Sequence, residues 1–359
     1  MSSLSRARSR KAVAEELKVR VLPSERAKLE KEPTANAEAF NLYLKGRYFF
    51  NERTKEGLQK AIQYFTEATK RDPCYARAYA GLADCYMIQE NWGYISPANA
   101  HEKRRSYATK AIELDDSIPE AHVALASILS SIEWDWEGAE REFKRAIELN
   151  PNYATAHHWY ANSILGLSGR YDEAIRELRE AMRLDPLSPI ISANLGDQLL
   201  EAGRYREAEE QYRSVLETAP DFAYAHAHLG LALLKESRYE EAISEVRKSV
   251  DLDRSGPVVP DLIYAYRTVG REEDAVRLLE QLEQDSAREY VSNVALAMAN
   301  GAAGRKERAI ELLQKAAVER SNQLRINMVE PHFDQLRSDP RFQSLQKTLG
   351  LKTENYPAD

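Results

Sequence analysis

One stretch of 34 residues, from Pro189 to Phe222 (PIISANLGDQLLEAGRYREAEEQYRSVLETAPDF), constrains this chain more than any other feature. Its apolar spacing predicts two short helices folded against each other. Leu195, Leu199 and Ala202 share one stripe of the first helix, and Ala208, Tyr212 and Val215 share one stripe of the second. Gly196 and Ala208 are small enough to let the two helices approach closely. Gly203 stands where a helix C-terminus favours glycine, and Pro220 stops the second helix. A unit this short cannot bury its own apolar face, so it needs neighbours of the same kind.

The neighbours are present. Numbered from Pro189, position 20 is alanine at Ala61, Ala139, Ala174, Ala208, Ala242, Ala275 and Ala309. Position 8 is Gly46, Ala83, Ala126, Ala161, Gly196, Gly230 and Ala297. An aromatic residue three places before the alanine recurs as Trp136, Tyr171, Tyr205 and Tyr239, and proline closes units at Pro73, Pro151, Pro186 and Pro220. The pattern gives eight units between Ala37 and Arg320. The length, the small residue within the first helix and the Ala-x-x-x-aromatic of the second resemble the tetratricopeptide repeat. The resemblance implies an all-α, right-handed superhelical solenoid of about eight helix-turn-helix units with a C-terminal capping segment.

Departures from the period are informative. Unit one has extra residues between Gly46 and Ala61, and unit two carries an insertion from Glu90 to Glu102 around Asn91-Trp92-Gly93-Tyr94. Ser96 can cap the helix that follows, with Pro97 at its first position. Units three to six are close to regular, and Asp135 is the expected N-cap between Trp134 and Trp136. Unit seven, from about Gly256, is looser. After Arg320 the pattern changes: Phe333, Leu336, Phe342, Leu345 and Leu349 form an apolar face suited to covering the end of the array.

The chain has 359 residues, 43% hydrophobic and 30% charged, which suits one extended repeat body. No apolar run approaches the length needed to span a bilayer, and none marks a signal segment. A cytoplasmic protein with no membrane partner is expected. Cys74 and Cys85 make neither a CxxC pair nor a disulfide framework, and Cys85 reads as a small buried residue. Nine Lys/Arg against four Glu give the first 31 residues +5, leaving −12 of the total −7 on the remainder. The basic run Arg6, Arg8, Arg10, Lys11 is too short to argue a nucleic-acid partner and reads as a solvated end.

Ser9 to Val21 can form a helix with Val13, Leu17 and Val21 on one face; Pro23 interrupts it, and Ser24 to Lys31 is polar. The stretch AVAEELKVRVLPSERAKLEKEPTANAEAFNLYLKGRYFFNERT resembles the junction between a TolB-like region and a tetratricopeptide array in multidomain bacterial signalling proteins. Those carry a kinase, cyclase or winged-helix DNA-binding head upstream. No kinase glycine loop, cyclase core or helix-turn-helix is found here, so the resemblance implies a detached sensory or scaffolding arm. The expected division is 1–36 as helix and linker, 37–320 as the array, and 321–359 as capping helices and a disordered tail.

Chemistry is sparse. The adjacent His157 and His158, and His226 and His228 two apart, do not place two imidazoles on one helix face. His122, His157 and His226 all fall at position 4, a packing slot, so no metal is expected. Glu137, Glu140 and Glu207 to Glu210 read as solvated outer faces beside Lys and Arg. With no phosphate loop and no nucleophile elbow, neither a cofactor nor an enzyme is expected.

The resemblance places ligand-binding side chains at positions 2, 5, 6 and 9 of the first helices. Those positions hold Asp84, Ser127, His158, Trp159, Asn162, Asn194, Asp197, Tyr224, His228 and Tyr264. Asparagines there can pair with a ligand's amides, and aromatics offer area at low entropy cost. The expected function is a non-catalytic scaffold holding an extended peptide or partner protein in its concave groove, with Trp159 as anchor and His228 making the binding of an acidic ligand pH-sensitive between about pH 5 and 8. The Lys/Arg needed for a carboxylate clamp are absent from these positions. The alternative is a regulatory arm working in trans with a separate kinase, cyclase or DNA-binding head. The insertion around Trp92 is the second candidate surface.

Overall fold

A computed structural model describes residues 34–253 and 258–351. The expected helix at Ser9–Val21, the basic run, the polar stretch to Lys31, Pro257 and the tail from Lys352 lie outside the described residues.

The described chain is helical from end to end and forms eight antiparallel helix pairs. Units one and two pair Ala37–Asn51 with Lys55–Arg71, and Ala76–Asn91 with Pro97–Leu114. Units five and six pair Pro189–Glu201 with Tyr205–Thr218, and Ala223–Lys235 with Tyr239–Leu252. Units seven and eight pair Val259–Thr268 with Glu272–Asp285, and Asn293–Ala302 with Lys306–Val318. The position-20 alanines are wholly buried. A Cβ placed on Gly196 would meet Tyr212 Cε1 at 2.5 Å, and one on Gly46 would meet Phe65 Cε1 at 2.4 Å, so the missing side chain sets the spacing within the pair. Gly203 takes φ 74° after the first helix of unit five, as a C-terminal glycine should. Asp135 caps through Gly138 N at 2.9 Å, whereas the Ser96 side chain makes no cap bond.

Units three and four are one residue longer than unit five. First helices begin at Pro119, Ala154, Pro189 and Ala223, spacings of 35, 35 and 34 residues. The extra residue is absorbed as a wide turn with i→i+5 bonding, at Leu129–Glu133 in unit three and Ala161–Leu165 in unit four. Their second helices are Trp136–Leu149 and Tyr171–Leu184.

The position-4 histidines form a repeated latch. Nδ1 of His122, His157 and His226 lies 2.6 Å from Glu142, Glu177 and Glu245 on the paired helix. Nε2 of each meets the carbonyl six residues back, at 2.7, 3.0 and 2.9 Å. The Glu-rich stretches are not simply solvated. Glu209 is 9% exposed and accepts from Arg213 of its own unit and Arg238 of the next. Glu140 accepts from Tyr160 and Arg170 of the following unit. These carboxylates sit at unit boundaries, where the neighbouring unit supplies the donors.

Beyond unit eight the chain does more than cover an end. Phe333, Leu336, Phe342 and Leu349 bury against Val294, Met298, Ile310 and Leu313 of unit eight, and Trp134 and Leu167 of units three and four pack on the same cluster. Arg325 donates to Ser163 O at 2.8 Å and its guanidinium lies 4.8 Å from the Trp136 ring. Asn322 N donates to Glu90 at 2.9 Å, Asn322 Nδ2 to Asn91 Oδ1, and Gln323 Nε2 to Asn91 O at 2.8 Å. The array thus curls until its last segment, a strap from Ser321 to Leu336, crosses the inside of units two to four.

The inner cavity as candidate binding site

The inner faces of the first helices, the strap and the unit-two insertion border a partly open cavity of about 720 Å³. Ser127, His158, Trp159, Asn162, Asn194, Asp197, Tyr224 and His228 all line it, together with Trp92 and Tyr94 of the insertion. The groove and the insertion, expected as alternative surfaces, border the same space. Tyr94 OH reaches Asp253 Oδ2 of unit six at 3.4 Å across it. Asp84 and Tyr264 lie elsewhere: Asp84 is buried 3.7 Å from Arg47, and the Tyr264 ring packs 5.1 Å from that of His332.

The expected groove residues bond chiefly to one another. Asn194 Oδ1 accepts from Asn162 Nδ2 at 2.7 Å and pairs with His158 Nε2 at 2.7 Å. Asn194 Nδ2 donates to Asp197 Oδ2 at 2.6 Å and to Tyr224 OH at 3.2 Å. Asp197 also accepts from Tyr224 OH and Tyr212 OH, each at 2.7 Å, and lies 3.0 Å from His228 Nδ1. Tyr224 stacks on His228 with ring centroids 4.1 Å apart. Three successive first helices are therefore stitched by a polar chain that fixes its own rotamers before any ligand arrives.

This corrects three expectations. The asparagines are not idle donors and acceptors on an open wall, because most of their capacity is spent internally. Trp159 is 5% exposed and packs in the core, so it is part of the wall's body and not a protruding anchor. His228 does not titrate between pH 5 and 8: burial opposes its charge, but the Asp197 carboxylate overrides burial and raises its pKa to about 9. His158, deeply buried beside neutral Asn194, is pushed down to about 4. Ser127 is also engaged, its Oγ accepting from Arg104 Nη2 at 3.0 Å.

Several lining residues escaped the sequence reading. Asn194, Asp197, Gln198 and Glu201 follow at i, i+3, i+4 and i+7, so the cavity stripe runs one turn past position 9. Burial raises the Glu201 pKa to about 8, with the Glu330 carboxylate of the strap adding to the effect. Glu330 is itself raised, first by burial and then by Asp261 and Asp197 against the pull of His228. The stripe was readable as a pattern in unit five. Glu330 was not, because nothing local tells a residue after the array that it faces unit five. Among the described residues, no group of His, Cys, Asp and Glu has the arrangement of a metal site.

Known proteins bear on this chain in parts. Profiles described as tetratricopeptide repeat match residues 142–176 and 193–257, so these units are tetratricopeptide repeats. The transcriptional regulator HilA of Salmonella typhimurium is 30% identical over 104 residues, 29% of this chain and 19% of that protein. The chain thus spans about a fifth of the length of the curated relatives it matches. Among solved structures, the APC/C hetero-tetramer Cut9–Hcn1 is similar with a TM-score of 0.59 and 18% identity, over 86% of this chain and 55% of that one. Yeast Tom70 follows at 0.49 and 18%, over 88% and 68%. The Cut9–Hcn1 likeness supports the repeat solenoid as the fold. No described helix is long and apolar enough to cross a membrane.

Proposed function

We propose that this repeat array is a non-catalytic interaction module that holds a short segment of a partner protein in its inner cavity. The observation that carries the reading is the pre-formed polar chain of His158, Asn162, Asn194, Asp197, Tyr224 and His228 on one wall of a cavity of about 720 Å³. That volume falls in the range of small-molecule and side-chain sites, about 300–1,000 Å³, so a few residues fit where a long extended peptide does not. A partner is to be isolated by affinity capture with the full chain, and its binding then compared across Asn162→Ala, Asn194→Ala and the exposed Glu210→Ala. Loss with the first two and retention with the third, at unchanged helicity, supports the interior. Equal binding by all three places the partner elsewhere.

A second reading, a regulatory arm acting in trans with a kinase, cyclase or DNA-binding head, is favoured by the partial match to HilA. The two readings part on the identity of the captured partner.

A further inference from the structure

The polar atoms left without a partner on the cavity wall are unevenly distributed in kind. Asn162 Oδ1, Gln198 Oε1 and Gln323 Oε1 are buried amide oxygens with no donor. Two of these orientations are fixed: Asn162 Nδ2 is committed to Asn194 and Gln323 Nε2 to the Asn91 carbonyl, which leaves each oxygen for the cavity. Gln198 is 8% exposed and Gln323 3% exposed, from unit five and the strap. The Gln198 amide leans over Gly166, where a Cβ would lie 2.2 Å from its oxygen, so no side chain at that position could share the space. Among the described residues the one fully buried donor atom of the lining left without a partner is Arg53 Nε, and the Arg53 guanidinium is already seated 4.1 Å from the Phe50 ring centroid.

Charge points the same way. Eight Asp and Glu side chains line the cavity against Arg53, Lys55 and the His228 that Asp197 keeps protonated. Asp197 has His228 and two tyrosine hydroxyls for company; Glu201 and Glu330 line the same cavity, and among the described residues neither has a cation at ion-pair distance. A buried acceptor without a donor is costly, and so is a half-buried carboxylate with no direct ion-pair partner. A ligand that is positively charged and rich in N–H groups relieves both at once, and a guanidinium or ammonium is the group that does so. The aromatic rings of Tyr224, Trp92 and Tyr94, which also line the cavity, suit a cation as well.

We propose that the cavity takes a cationic side chain, Arg or Lys, presented by the partner segment and seated between Glu201 and Glu330 with the amide oxygens of Gln198, Asn162 and Gln323 as further acceptors. This rests on the interior being the binding site, and it names the ligand chemistry that site selects. The same chemistry is offered by a free organic amine.

The test has two arms. In the first, an array of acetylated, amidated hexapeptides carrying Arg, Lys, Gln or Glu at one position is probed with the labelled full chain. In the second, agmatine, a small guanidinium-amine, is titrated against the melting temperature. Arg and Lys peptides are retained at least tenfold over their Gln and Glu counterparts. Glu201→Gln with Glu330→Gln lowers that retention at least tenfold and abolishes the agmatine shift, while Glu210→Ala changes neither. The single Glu201→Gln variant serves if the pair does not fold. Peptides bound without preference for a basic residue, or held equally by the double variant, overturn the cation site and leave the interior-binding reading standing. Agmatine binding without any peptide binding keeps the cation site and removes the protein segment as its source. Failure of both arms overturns the inference.

Discussion

Arg104 Nη1 donates to Glu90 Oε2 at 2.7 Å, and both side chains are closed off from water. Arg104 occupies in unit two the slot that alanine fills in the other seven. It is the largest wholly buried side chain in the described protein, and it also donates to Ser127 Oγ and Ser131 Oγ of unit three. Glu90 in turn accepts from Asn322 N, 232 residues away. One ion pair thus joins unit two, unit three and the strap.

Arg104→Ala restores the repeat's usual residue and should nonetheless destabilise the protein by about 3–5 kcal/mol, because it leaves the buried Glu90 carboxylate with only Asn322 N and His101 as partners. Urea unfolding measures the loss. Replacing both partners, Glu90→Gln with Arg104→Met, should recover much of it. A harmless Arg104→Ala would show that the pair holds nothing together.

Gly196 faces the Tyr212 ring, which is wholly buried and anchored through its hydroxyl to Asp197. Neither the ring nor its hydroxyl has room to retreat. Gly196→Ala, and likewise Ala208→Leu in the same contact, should cost about 1–3 kcal/mol by overpacking. Hydrogen exchange should show the opening centred on unit five, since stability in an array is shared with nearest neighbours. Uniform loss along the chain would contradict this.

Stability should fall as pH rises from neutral. His228 titrates near 6.5 when unfolded and at about 9 when folded. The folded form holds the proton more tightly, so the contribution is fully present below pH 6.5 and is lost as pH climbs through about 9. His157 acts in the same direction: burial opposes its charge, but the Glu177 and Pro151 bonds win and raise its pKa. Both His157 nitrogens face acceptors, an arrangement satisfied by the imidazolium. Asp197→Asn should flatten part of the slope and Glu177→Gln another part, as read from unfolding free energies across the range. A wild-type slope of the opposite sign would refute the assignment.

Truncation after Arg320 should do two things at once. It uncovers Val294, Met298, Ile310 and Leu313 of unit eight, and it removes the donors to Glu90, Asn91 and Ser163 inside the array. The shortened chain should self-associate on light scattering and melt earlier. A monomer of unchanged melting temperature would show the strap to be dispensable.

The fold was written locally, and so was legible. Small residues at positions 8 and 20, the glycine after the first helix and the prolines between units each act within 34 residues, and repetition made the signal redundant. The one-residue excess of units three and four was also in the numbering, and the wide turns at Leu129–Glu133 and Ala161–Leu165 are how the backbone absorbs it. The inner stripe through Asn194 and Asp197 followed from helical periodicity alone.

What the sequence could not decide was where the array's two ends would meet. Curvature is a small rotation per unit summed over eight units, and no single pair of residues encodes it. Only the accumulated turn brings Asn322 to Glu90, Tyr94 to Asp253 and Glu330 towards Glu201 and His228. That curling turned an open groove into a strapped, partly covered interior. It buried Trp159's surroundings, set His158 and His228 on opposite sides of neutrality, and left Gln198, Gln323 and the two carboxylates looking into a shared space. Periodicity determined which side chains point inward; their chemistry depends on desolvation and on charges from distant units, which tertiary structure alone supplies.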